Sequence, residues 1–110
     1  MKLFLMTNKI PSSCKVVVIG GGVAGCSTAY HLAKFGWKDT VLLERDVLTS
    51  GTTWHAAGLI GQLGSSATIT KLRNYSLNLY KQLETETGLS TGLKQNGSLT
   101  VATTSDRLEE

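Results

Sequence analysis

The run Val16-Val17-Val18-Ile19 is apolar and β-branched without interruption. It does not alternate with polar residues, so it predicts a strand covered on both faces, as in a parallel sheet. Gly20–Gly22 ends the run. From Val23 to Phe35, Ala24, Ala29, Leu32 and Ala33 fall at helical spacing and predict a helix of about three turns. Gly36 then stands where a left-handed C-terminal cap belongs. Val41-Leu42-Leu43 is a second short apolar run, closed by Glu44. Val16 to Glu44 thus has about the 30 residues of one strand–helix–strand unit. Asp46–Thr68 is rich in Gly, Ser and Thr and carries no sustained period, which predicts an irregular functional loop with one helical turn at most. Ile69, Leu72, Tyr75, Leu79 and Leu83 recur at three and four and predict an amphipathic helix over Ile69–Thr87, stopped by Gly88. After the turn signal Asn96-Gly97, Ser98–Thr103 is strand-like. Arg107–Glu110 begins a further element, and Met1–Ser13 is expected to be a short disordered lead.

Composition narrows the class. A chain of 110 residues holds one domain at most. With 41% hydrophobic and only 17% charged residues it is globular rather than disordered. The net charge is +3, but the 11 Lys and Arg are scattered without a basic run, so no nucleic-acid partner is expected. Cys14 and Cys26 are expected to be plain reduced thiols, consistent with intracellular chemistry. The apolar run within Met1–Met6 is shorter than the roughly 7–15 residues of a secretory signal. No stretch approaches the roughly 20 apolar residues of a membrane span. His31, inside the first helix without a partner at motif spacing, reads as structural. Glu84, Glu86, Glu109 and Glu110 read as solvated charges, and Tyr75 and Tyr80 as packing residues of the long helix.

The chemistry begins at Gly20-Gly21-Gly22-Val23-Ala24-Gly25, a G-x-G-x-x-G pattern. A strand precedes it, a helix follows, and an acid, Glu44, stands about 20 residues on. Gly20 permits the tight turn out of the strand. Gly22 lets a diphosphate approach the backbone, and Gly25 lets the helix lie close to the sheet. At Val23 and Ala24 the diphosphate meets unpaired N–H groups and the helix's partial positive charge of about half a unit. Glu44, followed by Arg45, accepts hydrogen bonds from the hydroxyls of an adenosine ribose. Its carboxylate would repel a 2′-phosphate, which argues against NADP. This much specifies a dinucleotide and leaves FAD and NAD both open.

The next segment, Thr49-Ser50-Gly51-Thr52-Thr53-Trp54-His55-Ala56-Ala57-Gly58-Leu59, is built of small residues that admit a large flat ligand. Ser50, Gly51, Thr52 and Thr53 supply hydroxyls and N–H groups for phosphates. By spacing alone His55 is more simply a satisfied structural residue than a reactive one. With Glu44-Arg45, Leu83–Gly88, Thr91-Gly92, Gln95–Ser98 and Asp106–Leu108, this segment resembles the sarcosine and dimethylglycine dehydrogenase family, which is FAD-dependent and D-amino-acid-oxidase-like. The likeness is nearer the sarcosine branch and runs from Val16 onward. It implies an α/β fold, a Rossmann-like βαβ unit whose parallel strands form part of a larger FAD-binding domain. Residues 14–110 would be the amino-terminal, incomplete part of that domain. It implies that His55 carries the FAD covalently and that an N-methyl group of sarcosine or dimethylglycine is oxidised by hydride transfer to the flavin. It further implies an electron acceptor, either an electron-transfer flavoprotein or oxygen, and a home in the bacterial cytoplasm or the mitochondrial matrix. Gly61–Thr70 departs from the family pattern, so substrate contacts there stay unassigned, as does any general base. Two other readings are a non-catalytic regulatory relative, such as a subunit of a pyruvate dehydrogenase phosphatase, and an NAD-dependent dehydrogenase sharing only the nucleotide fold. The Trp54-His55 pair favours the enzyme over the first, and a covalent role for His55 would exclude the second.

Overall fold

A computed structural model describes residues 11–99 and 101–108. The chain divides after Ala57 into two compact units. In the first, β1 (Val16–Ile19) leads into α1 (Val23–Lys34), which returns to β2 (Thr40–Leu43), and a single 3-10 turn follows at Thr52–His55. The strands are parallel, with Val16 opposite Thr40 and Ile19 opposite Leu43. Gly20 extends the pairing by one bond, its N–H donating to the Leu43 carbonyl at 2.8 Å. Helix α1 packs against both strands. Its end matches expectation: Gly36 has φ +88°, and its N–H donates to the Ala33 carbonyl while that of Trp37 reaches Leu32. The parallel βαβ unit read from the sequence is the one observed.

The expected burial of both sheet faces is not what β1 shows. Val16 and Val18 are half-buried, whereas Val17 and Ile19 are exposed, Ile19 to 85%. Among the described residues α1 is the helix packed on the sheet, and one helix covers one face of two strands.

In the second unit, α2 spans Ala67–Thr87. It starts two residues before the expected Ile69 because Ser66 caps it, its hydroxyl accepting from the Ile69 N–H at 3.3 Å. Gly88, at φ +69°, closes the far end with its N–H on the Glu84 carbonyl. The packed face is turned from the expected one but keeps Leu79 and Leu83, both half-buried. Leu77 is the buried apolar residue of α2, whereas Leu72 and Tyr75 are exposed. Three polar anchors account for the rotation. Thr70 Oγ1 accepts from the Gly64 N–H at 3.1 Å, Arg73 donates to the Leu63 carbonyl, and Glu84 binds Thr91. These residues and Leu77 share one side of the helix by their spacing of three and four. Glu84 is therefore no free solvated charge. Its Oε1 accepts from the Thr91 N–H at 2.7 Å and the Thr91 hydroxyl at 2.8 Å, and the hydroxyl first, then the N–H, hold its carboxyl below the usual range.

Ser98–Thr103 is not a strand at its described positions, since β1 and β2 form the sheet among the described residues and Leu99 and Val101 lie exposed. Alternating polarity marks a segment able to pair, and pairing needs a neighbour. Ser105–Leu108 forms one helical turn, α3. Of the proposed disordered lead, residues 1–10 lie outside the described residues, as do Glu109 and Glu110. No helix among the described residues is long and apolar enough to cross a membrane.

Leu77, 4% exposed, is the single buried hydrophobic side chain among the described residues. Apolar burial is the main term opposing chain entropy, so a fold whose described residues bury one apolar side chain is marginal. The 110-residue polypeptide made alone should therefore bind a hydrophobic dye at room temperature and lose its helix signal over a broad temperature range. A sharp, two-state melt followed by circular dichroism would contradict this.

Candidate coenzyme site

The site is assembled where β1 meets α1. Gly20 has φ +101°, a backbone conformation that favours glycine, and it turns the chain out of the strand. A Cβ added at Gly25 would collide with the Gly20 carbonyl oxygen, so the helix begins as close to the turn as backbone allows. Gly22 is the N-cap of α1 and offers no side-chain cap. The N–H groups of Gly22, Ala24 and Gly25 have no acceptor among the described residues. They face the end of a helix dipole and suit an anion. The Val23 N–H differs from expectation: it donates to Thr53 Oγ1 at 2.9 Å.

The motif's variable position is closely packed as well. Gly21 is the one buried residue of the turn. A Cβ there would overlap the Leu48 side chain and stand 3.0 Å from the Glu44 Cβ. Its N–H donates to Glu44 Oε2 at 2.6 Å, and its carbonyl accepts from the Thr49 N–H at 2.9 Å and from the Cys26 thiol at 3.3 Å. Gly21, Leu48, Thr49 and Cys26 were not singled out for this role by the sequence. The only signal available was the middle glycine of the three, which G-x-G-x-x-G does not require.

Glu44 sits at the end of β2, half-buried. Its second oxygen accepts from the Asp46 N–H at 3.0 Å. The Gly21 N–H, then the Asp46 N–H, hold the carboxyl below its ordinary value, with Arg45 adding a smaller electrostatic contribution. An ionised carboxylate offers about four lone-pair sites, so two remain for the hydroxyls of a sugar. Arg45 itself is exposed.

Beyond Glu44 the chain folds back over the turn. Thr49 takes φ +66°, uncommon for a β-branched residue. Ser50 spends its hydroxyl locally on the Val47 carbonyl at 2.7 Å. The Gly51 carbonyl accepts from the Trp54 N–H at 3.2 Å and meets His55 Nδ1 at 3.0 Å. A carbonyl only accepts, so in the neutral ring Nδ1 carries the hydrogen and Nε2 keeps its lone pair. Thr53 and His55 lie on the same 3-10 turn, and Thr52 and His55 are exposed. Thus Gly20, Gly22, Val23, Ala24, Gly25, Glu44 and Thr53 come together around the turn, while Ser50, Gly51, Thr52 and His55 lie on the segment that crosses it. His31 is elsewhere, bonded through Nδ1 to the Ser27 carbonyl at 2.7 Å and edge-on to Tyr30. Cys14 and Cys26 form no disulfide.

The Glu44–Gly21 bond fixes a pH dependence. A carboxyl with a lowered folded pKa stabilises the fold above its ordinary value of 4.5 and loses that contribution as pH falls through the folded value. Protection of the Gly21 amide against hydrogen exchange, compared with Glu44→Gln at the same pH, should be high above pH 4.5 and disappear on acidification. Equal protection in both proteins at neutral pH would count against the bond.

Comparison with known proteins bears on what this turn holds. Residues 15–110 match the family model described as FAD dependent oxidoreductase. Human mitochondrial sarcosine dehydrogenase is 53% identical over 102 residues, covering 92% of this chain and 11% of that protein. Human mitochondrial dimethylglycine dehydrogenase is 50% identical over 87% of this chain and 11% of its own length. The mouse mitochondrial pyruvate dehydrogenase phosphatase regulatory subunit is 48% identical over 90% of this chain, again 11% of its length. The chain therefore spans about a ninth of these relatives. A strand, a glycine turn with unpaired amides, an acid on the neighbouring strand and a match from Lys15 to the last residue agree: the chain belongs to the FAD-dependent oxidoreductase family.

Proposed function

We propose that this chain is the amino-terminal, coenzyme-holding part of an enzyme that oxidises an N-methyl group of sarcosine, dimethylglycine or a related small amine, with FAD attached covalently to His55. The observation that carries the reading is that the diphosphate cradle is hydrogen-bonded to the segment that carries a histidine with a free nitrogen lone pair. The residues fit the coenzyme. Unpaired amides at Gly22, Ala24 and Gly25 suit a diphosphate, and the free lone pairs of Glu44 suit the ribose. Bound FAD supplies the acceptor for a hydride from the N-methyl carbon; the protein supplies position and electrostatics. His55 Nε2 is the nitrogen available to bond the flavin, because Nδ1 is committed to Gly51.

Substrate contacts and the electron acceptor, an electron-transfer flavoprotein or oxygen, belong to parts of the enzyme beyond this segment. The exposed face of β1 and the single buried apolar side chain among the described residues support residues 14–110 as an incomplete portion of the FAD-binding domain. Relatives named as mitochondrial support the matrix for a eukaryotic protein, and the bacterial cytoplasm is the counterpart otherwise. The likeness to a phosphatase regulatory subunit keeps a non-catalytic role as the second reading. The Trp54-His55 pair with its available nitrogen favours the enzyme.

The test uses the full-length flavoprotein that carries this segment. After acid precipitation the yellow colour should stay with the wild-type pellet and pass to the supernatant for His55→Ala. Wild-type colour found in the supernatant would refute the covalent link. The 110-residue chain alone should show no turnover of sarcosine, and measurable turnover would refute its incompleteness.

A further inference from the structure

We propose that Thr53 is a positioning residue that joins the diphosphate cradle to His55, so that the hydroxyl which braces α1 also sets the histidine for attachment. The inference rests on the reading of His55 given above. Ser50, Thr52 and Thr53 all carry hydroxyls on the crossing segment, but they are not equivalent. Ser50 is spent on Val47. Thr53 alone reaches the helix start, accepting from the Val23 N–H at 2.9 Å. The approach is close: a Cβ added at Gly22 would stand 3.0 Å from Thr53 Oγ1. Gly22 is thus small toward Thr53 as well as toward any ligand.

The Thr53 hydroxyl accepts one hydrogen bond and keeps its own hydrogen, which has no acceptor among the described residues. That hydrogen lies at the amino end of α1, beside the unpaired amides that suit an anion. A phosphate oxygen seated there can accept from it, completing a relay of Val23 N–H to hydroxyl to phosphate.

The other end of the link is the 3-10 turn. The segment is tied to Gly21 at Thr49 and to Val23 at Thr53. The Thr53 carbonyl accepts from the Ala56 N–H at 3.2 Å, which closes the turn just past His55. Gly51, at the front of the turn, holds Nδ1. With its second tie cut, the turn would keep its internal bonds but lose its fixed height above the cradle. His55 would then reach the flavin less often, with the coenzyme still bound.

The experiment uses full-length protein prepared without flavin and reconstituted with FAD. Acid-stable flavin is followed over time in air for wild type, Thr53→Val, Thr53→Ala and Thr53→Ser. Air is supplied because a bond from His55 Nε2 would replace a C–H bond of a flavin ring methyl, the proton going to solvent and the electron pair through the flavin to dioxygen. FAD affinity is measured separately in a His55→Ala background, where attachment cannot occur. At saturating FAD, both variants lacking the hydroxyl should attach flavin at least about tenfold more slowly, the loss expected for one hydrogen bond to a charged group. They should also bind FAD about tenfold more weakly in the His55→Ala background. Thr53→Ser should stay within about threefold of wild type on both readouts, well under the cost of the lost bond. The use of two variants without a hydroxyl guards against one that does not fold. Wild-type attachment rates in Thr53→Val or Thr53→Ala would overturn the proposal, as would a Thr53→Ser protein as slow as they are. If wild-type flavin were not acid-stable at all, the His55 reading would fail instead, and the affinity measurement would decide the role of Thr53 alone.

Discussion

Burying Gly21 obliges its peptide groups to find partners inside the protein, and much of the first unit follows from that. Water cannot serve a buried amide, and an unpaired one costs about as much as a lost hydrogen bond. The N–H goes to Glu44 on the neighbouring strand and the carbonyl to the Thr49 N–H and the Cys26 thiol. Glu44 is thereby held ionised and aimed at the turn. Thr49 is drawn into a left-handed conformation, and the chain beyond it is led back across the cradle. The amides one, three and four residues further on have no acceptor among the described residues, and those are the ones an anion can use.

The local order of the chain was legible because its signals are local. β-Branched residues, a glycine turn and a glycine cap specify β1, α1 and β2 without reference to anything distant. Spacing likewise marked Gly20, Gly22, Gly25 and Glu44. What the sequence could not disclose depends on partners. The period of α2 shows that Ile69, Leu72 and Tyr75 share a side, but Leu77 is the residue that packs, because Thr70, Arg73 and Glu84 are anchored on its side. Glu84 looked like a solvated charge until Thr91 came within reach through the Gly88 turn. Ser98–Thr103 has the composition of a strand and no ladder to join among the described residues. Gly21 was hidden for the same reason: its neighbours Leu48 and Glu44 are distant in sequence.

The exposed side of the sheet carries a related lesson. Val17 and Ile19 are as apolar as the residues facing α1, yet they lie exposed among the described residues. A continuous apolar run is written for a strand with two covered faces. The same run that made the fold class plain therefore also measures how much of the domain a ninth of a relative's length can supply. The groups proposed to recognise the coenzyme, by contrast, are concentrated here: backbone amides as donors and one carboxylate as acceptor, within a single βαβ unit.

The most direct measurement is a crystal structure of the flavin-loaded, full-length protein. The diphosphate should lie within hydrogen-bonding distance of the amides of Gly22 and Ala24, with the Glu44 carboxylate on the adenosine ribose and Gly21 still bonded to it. A coenzyme seated away from this glycine turn, or a Glu44 released from Gly21 and turned from the sugar, would contradict the role assigned to the cradle.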